Sequence, residues 1–403
     1  MGIALLYFYI FAIAFFEIAG TTIAVRVFFA FAGLILSILN FNKQLFIIFL
    51  INLPVIIYSF FISLIHGTGD NSFTSALVKS CAYFWAAYFI VYLVYKRYKC
   101  TAKELIPYLF KAYFYATMVQ LSLGLLIFFF PPLGAFLNSL ICAVNAEKIT
   151  NLSRFRLVLP GETNFFGAGI ICCNALLIWA FLVKEKIWTV NVINLLKLFY
   201  VFLLGVLVAR TVLVGGILCL LYLAPRILCV MKLRFLLTLA LVAYLLVILI
   251  SEFVPEELLQ FGFEHFYSMS ENGNFEAQST NHLLEMWQVL PEDVKTLLFG
   301  DGKWIDGDGY YMAIDVGYLR LIFYFGLFGS IVFFVTQILQ YYYIKQQFKN
   351  KEIRELIFFI LFSFFVFNIK GFTTSVAAGG LLGILGAIMA IDSKQNRNKI
   401  KIK

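Results

Sequence analysis

Runs of about 17 to 25 apolar residues, the length that crosses a hydrocarbon core of roughly 30 Å as a helix, recur along almost the whole chain. A segment placed in lipid must pair its own backbone N–H and C=O groups, so such runs fold as helices. They fall at 2–19, 21–39, 45–65, 76–95, 107–130, 164–183, 192–209, 211–224, 235–251, 318–343, 356–372 and 374–391. Composition agrees: 62% of residues are hydrophobic and 13% charged, whereas soluble proteins carry about a quarter charged. The expected fold class is all-α, a polytopic integral membrane protein with about 12 transmembrane helices and one large extracytoplasmic loop.

Charge then orients the chain. With the carboxyl tail placed in the cytoplasm, 19 of the 31 Lys and Arg fall in inner loops and the tail, from Lys43 and the Lys96, Arg97, Lys99 and Lys103 group to Lys399, Lys401 and Lys403. That excess follows the positive-inside rule and puts both termini in the cytoplasm. The first run has no basic stretch ahead of it and carries Glu17 near its far end, so it reads as a retained helix rather than a cleaved signal. The net charge of +9 is a topology signal spread over several short loops, not a nucleic-acid footprint. The expected organisation is nine helices in 1–251, the loop in 252–317, three helices in 318–391 and a basic tail in 392–403.

Thirteen of the 22 acids sit between Glu252 and Asp315. A protein that only passes a solute has little need of such a segment; an enzyme acting at the membrane surface needs somewhere to hold a large polar substrate. Within it, the spacing predicts a helix from Thr280 to about Leu290, with Leu283, Leu284, Trp287 and Leu290 on one face and Pro291 ending it. Gly300, Gly302, Gly307 and Gly309 among aspartates then predict turns.

Four arginines are placed for chemistry. Arg154 and Arg156 precede Pro160, Gly161, Asn164 and Gly167, so a basic loop leads through a turn into a helix N-terminus, an arrangement that favours an anion. Lipid headgroups or local acids are the alternative partners. Arg210 lies in a short turn between two spans, and Arg320 where the acidic segment re-enters the membrane; each either snorkels or faces a cavity or partner. The three histidines lack zinc spacing, no metal site is expected, and no phosphate-cradling nucleotide motif is present. His282 and Asp315 can serve as general base or simply as surface and capping residues.

Three stretches resemble the O-antigen polymerase (Wzy) and O-antigen ligase superfamily of bacterial envelope proteins. The first is Arg154-Phe155-Arg156-Leu157-Val158-Leu159-Pro160-Gly161-Glu162-Thr163-Asn164-Phe165-Phe166-Gly167, similar to an Arg, Gly, Asn, Gly pattern entering a helix. Its Arg156 and Gly167, ten residues apart, look like the polymerases' Arg-x10-Gly. The second is Val208-Ala209-Arg210-Thr211-Val212-Leu213-Val214-Gly215, similar to the short Arg turn but without the serine that often precedes it. The third is Leu298-Phe299-Gly300-Asp301-Gly302 followed by the stretch from Asp315 to Gly329. Ligases carry His-Asn where the chain re-enters the membrane; Asp315-Val316-Gly317-Tyr318 stands there instead, which favours a polymerase.

The resemblance implies joining of undecaprenyl-diphosphate-linked oligosaccharide units at the outer face of the bacterial inner membrane, without cofactor. Its partners would be a lipid-linked donor and acceptor, membrane lipids and a chain-length regulator, and no nucleic acid. Arg156 and Arg210, supported by Arg154 and Arg320, would hold the lipid diphosphates, with His282 or a loop carboxylate such as Asp315 taking the acceptor proton. Because sugars are met by carboxylates and aromatic faces, Trp287, Trp304, Tyr310 and Tyr311 are the expected sugar-binding residues. A ligase and a polysaccharide-unit flippase are the alternatives; the flippase predicts short loops.

Overall fold

The computed structural model describes residues 1–18, 21–99, 101–141, 156–161, 164–230, 252, 254–272, 278–307, 309–374 and 380–401. In chain order the elements are α1 (Gly2–Ile10), β1 (Ala14–Ile18), β2 (Thr21–Ala24), α2 (Val25–Leu39), α3 (Lys43–Ile65), α4 (Ser72–Tyr98), α5 (Ala102–Phe129) and α6 (Pro131–Leu140). There follow α7 (Phe165–Lys184), α8 (Val192–Val208), α9 (Thr211–Val230), α10 (Glu256–Asn272), α11 (Gln278–Gln288) and α12 (Val294–Phe299). The short strands β3 (Ile305–Asp306) and β4 (Gly309–Tyr310) precede α13 (Gly317–Gln347), α14 (Lys351–Asn368) and α15 (Leu381–Lys401).

The protein is predominantly helical. Among the described residues, five helical stretches are long and apolar enough to cross a membrane: Lys43–Ile65, Ser72–Tyr98, Glu104–Phe129, Phe165–Lys184 and Gly317–Gln347. Shorter apolar helices occupy Val25–Leu39, Val192–Val208, Thr211–Pro225 and Leu381–Ser393. The run at 235–251 lies outside the described residues. The runs at 2–19 and 21–39 are not two continuous helices: α1 stops at Ile10, and β1 pairs antiparallel with β2 before α2 begins. Hydrophobicity alone does not separate helix from strand here, because this stretch is rich in the β-branched and aromatic residues that suit a paired ribbon.

Two compact units divide the chain, one made of Met1–Phe29 and Leu93–Phe275, the other of Ala30–Tyr92 and Glu276–Lys403. The acidic stretch is thereby shared: 252–275 belongs to the first unit and 276–317 to the second.

In the first unit α7 is the central helix. It is buried continuously from Ala168 to Val183, as a helix apolar on every side must be, and it starts where the Asn164 side chain accepts the N–H of Gly167 at 2.7 Å. α8 ends at Val208, Ala209 is extended, and α9 restarts at Thr211, so Arg210 projects from a break between two apolar helices.

In the second unit α13 is broken. Gly326 has φ +69 and ψ −175, a conformation essentially reserved for glycine. The break frees the carbonyls of Phe323 and Tyr324, which accept the N–H groups of Asp301 at 2.7 Å and Gly302 at 3.1 Å. The chain after α12 thus completes the hydrogen bonding of an interrupted helix, the condition under which a break is tolerated at membrane depth. α11 packs Leu283, Met286 and Trp287 onto the cluster of Ile314, Val316, Leu319 and Phe323. Leu284 and Leu290 are exposed: a 100° step carries Leu284 off the Leu283–Trp287 face, and α11 ends at Gln288, before Leu290.

A β-carbon at position 326 would lie 2.2 Å from the Leu298 carbonyl. Gly326→Ala is expected to cost about 1–3 kcal/mol from backbone conformation alone, with the clash in addition. Gly309→Ala, with ordinary φ and no neighbour closer than 3.8 Å, should be near neutral. Thermal melting of the purified variants checks this, and equal melting of both would contradict the assigned break.

Candidate functional site

Arg156 and Arg210 are brought together in the first unit on one aromatic ring. The Arg156 guanidinium carbon lies 4.4 Å from the Phe261 ring centroid and 5.0 Å from that of Phe165, and Arg210 lies 4.9 Å from the same Phe261. Phe261 comes from α10, which also supplies Glu264, the carboxylate paired with Arg210. Among the described residues no carboxylate pairs with Arg156. Among the described residues, then, two neighbouring guanidinium groups have one paired carboxylate between them, that of Glu264 on Arg210. The Arg156 pKa is lowered from its ordinary value first by burial and then by the like charge of Arg210. An anion placed beside the pair removes that repulsion and uses the donor forks that an aromatic face leaves free.

The loop that carries Arg156 is tied down by backbone contacts. Leu157 N–H donates to the Leu207 carbonyl at 3.0 Å, near the end of α8. Gln120, fully buried in α5, donates its amide to the Pro160 carbonyl and accepts from the Tyr7 hydroxyl. A buried amide in an apolar helix is costly unless both ends are used, and here both are. Gly161, at φ +119, passes so close to the Phe11 carbonyl that a β-carbon would sit 2.6 Å from it. Arg154 lies outside the described residues.

Arg320, Trp304, Tyr310, Tyr311, Asp315, His282 and Trp287 all belong to the second unit. Arg320, in the first turn of α13, lies between the rings of Trp304 and Tyr310, its guanidinium carbon 3.8 Å and 3.6 Å from their centroids. Trp304 is buried against Phe73, Phe372 and Tyr324, with centroids 4.5, 4.8 and 5.8 Å away. Asp70, in the α3–α4 turn, fixes this tryptophan. Its Oδ2 accepts the N–H groups of Trp304 at 2.6 Å and Ile305 at 2.9 Å, while Oδ1 accepts from Ser72 at 2.9 Å. Thr68 adds a hydroxyl bond to the Gly302 carbonyl at 2.7 Å.

Burial alone would raise the Asp70 carboxyl, but the N–H groups of Ile305, Ser72 and Trp304 together hold it below the usual carboxylate range. Asp315 is the opposite case. The residue is exposed, yet the protein packed around its carboxyl raises it, against the pull of Arg320 and Lys370. Asp301 accepts from Thr296 at 2.7 Å and from the Tyr311 hydroxyl at 3.1 Å; burial first, then the Asp301 charge, raises the Tyr311 phenol.

His282 is exposed on α11 beside Glu285, 3.4 Å away. Trp287 is partly buried in the α11 contact with α13, Tyr311 is partly buried, and Tyr310 is exposed. Of the expected residues, the structure joins Arg156 to Arg210, and Arg320 to Trp304, Tyr310 and Asp315.

Phe261, Glu264, Gln120 and Asp70 complete these clusters and were not singled out from the sequence. Gln120 carried a usable signal, as an isolated amide in an apolar run; Phe261 and Asp70 carried none. Comparison with known proteins finds no matching family model, no matching curated protein and no matching solved structure.

The Asp70 contact has a definite pH signature. Its folded pKa is depressed, so the stabilisation is complete above the unfolded value of about 4 and is lost as pH falls through the folded value. The emission difference between wild type and Trp304→Phe should hold steady from neutrality to about pH 4 and change only below it. A change beginning near pH 6 would contradict the Asp70 anchor.

Proposed function

We propose that this chain is a polysaccharide polymerase of the bacterial inner membrane, joining undecaprenyl-diphosphate-linked oligosaccharide units into O-antigen or a related surface polymer at the outer face. The observation that carries the reading is the pair Arg156 and Arg210 sharing the Phe261 ring, with Glu264 paired to Arg210 and no carboxylate paired to Arg156 among the described residues. Such a pair suits the diphosphate of a lipid carrier, whose several charges and oxygens exceed what a single arginine can match. The resemblance of the 154–167, 208–215 and 298–329 stretches to the O-antigen polymerases supports the same reading.

In the reaction the oxygen of an acceptor hydroxyl attacks the anomeric carbon of the donor. The bond from that carbon to the diphosphate oxygen breaks, and its electron pair leaves with the diphosphate. Negative charge builds on the departing oxygen, where fixed guanidinium donors stabilise it; one such donor is worth about 2.7–4 kcal/mol in comparable settings. The hydroxyl proton passes to a base. Arg154 is read as a supporting contact, and no cofactor is invoked. Donor and acceptor glycolipids, bulk membrane lipid and a chain-length regulator are the proposed partners, with both termini in the cytoplasm.

Arg156→Ala, expressed in a strain lacking the chromosomal gene, should reduce polymer about 100-fold or more while the protein stays in the membrane. Surface and lipid-linked glycans resolved by size should then show single units on their normal acceptor. Full-length polymer from this variant would remove Arg156 from the mechanism. In the strain lacking the gene altogether, long polymer stranded on undecaprenyl diphosphate would mark a ligase, and single units trapped at the inner face a flippase.

A further inference from the structure

The setting of Arg320 restricts how it can meet a ligand. A guanidinium is planar and donates its N–H groups only in its own plane. Both faces of Arg320 are covered, by Trp304 at 3.8 Å and Tyr310 at 3.6 Å. The residue is 7% exposed, and its Nη2 has no hydrogen-bond acceptor among the described residues. A buried charged donor without an acceptor is costly, so an oxygen ligand at Nη2 would remove that cost.

The two rings decide the shape of that ligand. They wall both sides of the guanidinium plane, and a group approaching the edge enters between them. A carboxylate is planar and can lie in the same plane, its two oxygens matching two parallel N–H groups. A phosphate is tetrahedral and carries oxygens out of the plane, toward aromatic faces whose own electrostatics disfavour negative charge.

Charge points the same way. Asp315 and Asp70 both act electrostatically on Arg320, and Lys370 faces Asp315. With two carboxylates already set against two cations, a ligand of one negative charge costs less here than one of two or more, and a diphosphate belongs with paired arginines such as Arg156 and Arg210. Tyr310 is exposed and forms the outer wall, where a sugar ring attached to the carboxylate can lie against it.

We infer that Arg320, edge-on between Trp304 and Tyr310, binds the carboxylate of an acidic sugar, so that the glycan handled by this protein contains a sugar of the uronic-acid class. The source of that sugar rests on the polymerase reading; the binding itself does not.

Saturation-transfer NMR on the purified full-length protein tests it, with glucuronate, glucose and inorganic pyrophosphate as probes. Glucuronate should give a saturable signal that pyrophosphate does not displace, and glucose should give none. Arg320→Gln should weaken glucuronate about tenfold or more, as expected for loss of charge-assisted hydrogen bonds. Tyr310→Ala, at an exposed position, should weaken it as well and carries the test if the arginine variant does not fold. Absence of a glucuronate signal, an equal signal from glucose, displacement by pyrophosphate, or unchanged binding in Tyr310→Ala would each overturn the assignment. If glucuronate binds through Arg320 while Arg156→Ala cells still make full-length polymer, the carboxylate site stands and the polymerase reading falls.

Discussion

A backbone carbonyl left without a donor in an apolar surrounding costs several kcal/mol, and two irregular stretches among the described residues meet that constraint with specific partners. The break at Gly326 frees the carbonyls of Phe323 and Tyr324, and Asp301 and Gly302 occupy them. That pairing holds the segment after α12 against α13. The same segment delivers Trp304 to Arg320, and Asp70 fixes its backbone from the α3–α4 turn. In the first unit the irregular stretch from Arg156 to Gly161 is held likewise, by Leu207 and by the buried amide of Gln120. Arg156 and Trp304 are thus carried on irregular backbone that is tied down by hydrogen bonds to its neighbours.

The two arginine settings differ in a way that matters chemically. Arg156 and Arg210 share an aromatic ring, and among the described residues only Arg210 has a paired carboxylate, so positive charge is in excess there. Arg320 is a single guanidinium between two rings, with Asp315 and Asp70 as electrostatic neighbours. Multiple guanidinium donors favour a ligand with several charges; an enclosed single guanidinium favours a flat ligand with one. A protein that grips both a lipid diphosphate and the sugar chain needs both kinds of recognition, and the proposed function assigns one to each setting.

Much of the architecture was legible in the residues. Membrane-length apolar runs at 45–65, 76–95, 107–130, 164–183 and 318–343 correspond to α3, α4, α5, α7 and α13, because a helix is the one local solution for such a run. The glycines at 300, 302 and 307 all take positive φ, as a turn-rich reading of that stretch requires. The interruption of α13 was not legible: Gly326 sits in an apolar sequence that a continuous helix would also accept, and its conformation is set by a distant approach of Leu298. The hairpin of β1 and β2 was missed because hydrophobicity alone does not distinguish an apolar paired ribbon from a span. At the site, Arg210 and Arg320 stood out because charge is expensive beside lipid, and Arg156 because a basic loop there leads into a helix N-terminus. Phe261 and Asp70 did not, since a phenylalanine in a helix and an aspartate in a turn are ordinary until their partners are seen.

The central claim is that the paired guanidinium groups of Arg156 and Arg210 serve glycosyl transfer from a lipid diphosphate. Purified protein in liposomes, supplied with an undecaprenyl-diphosphate-linked repeat unit from its source strain, tests this most directly when products are resolved by size and released carrier is counted. The account predicts a ladder of polymer on the lipid, with one undecaprenyl diphosphate released for each bond formed. Units that stay single and release no carrier, in liposomes where the protein is folded and correctly inserted, would contradict it.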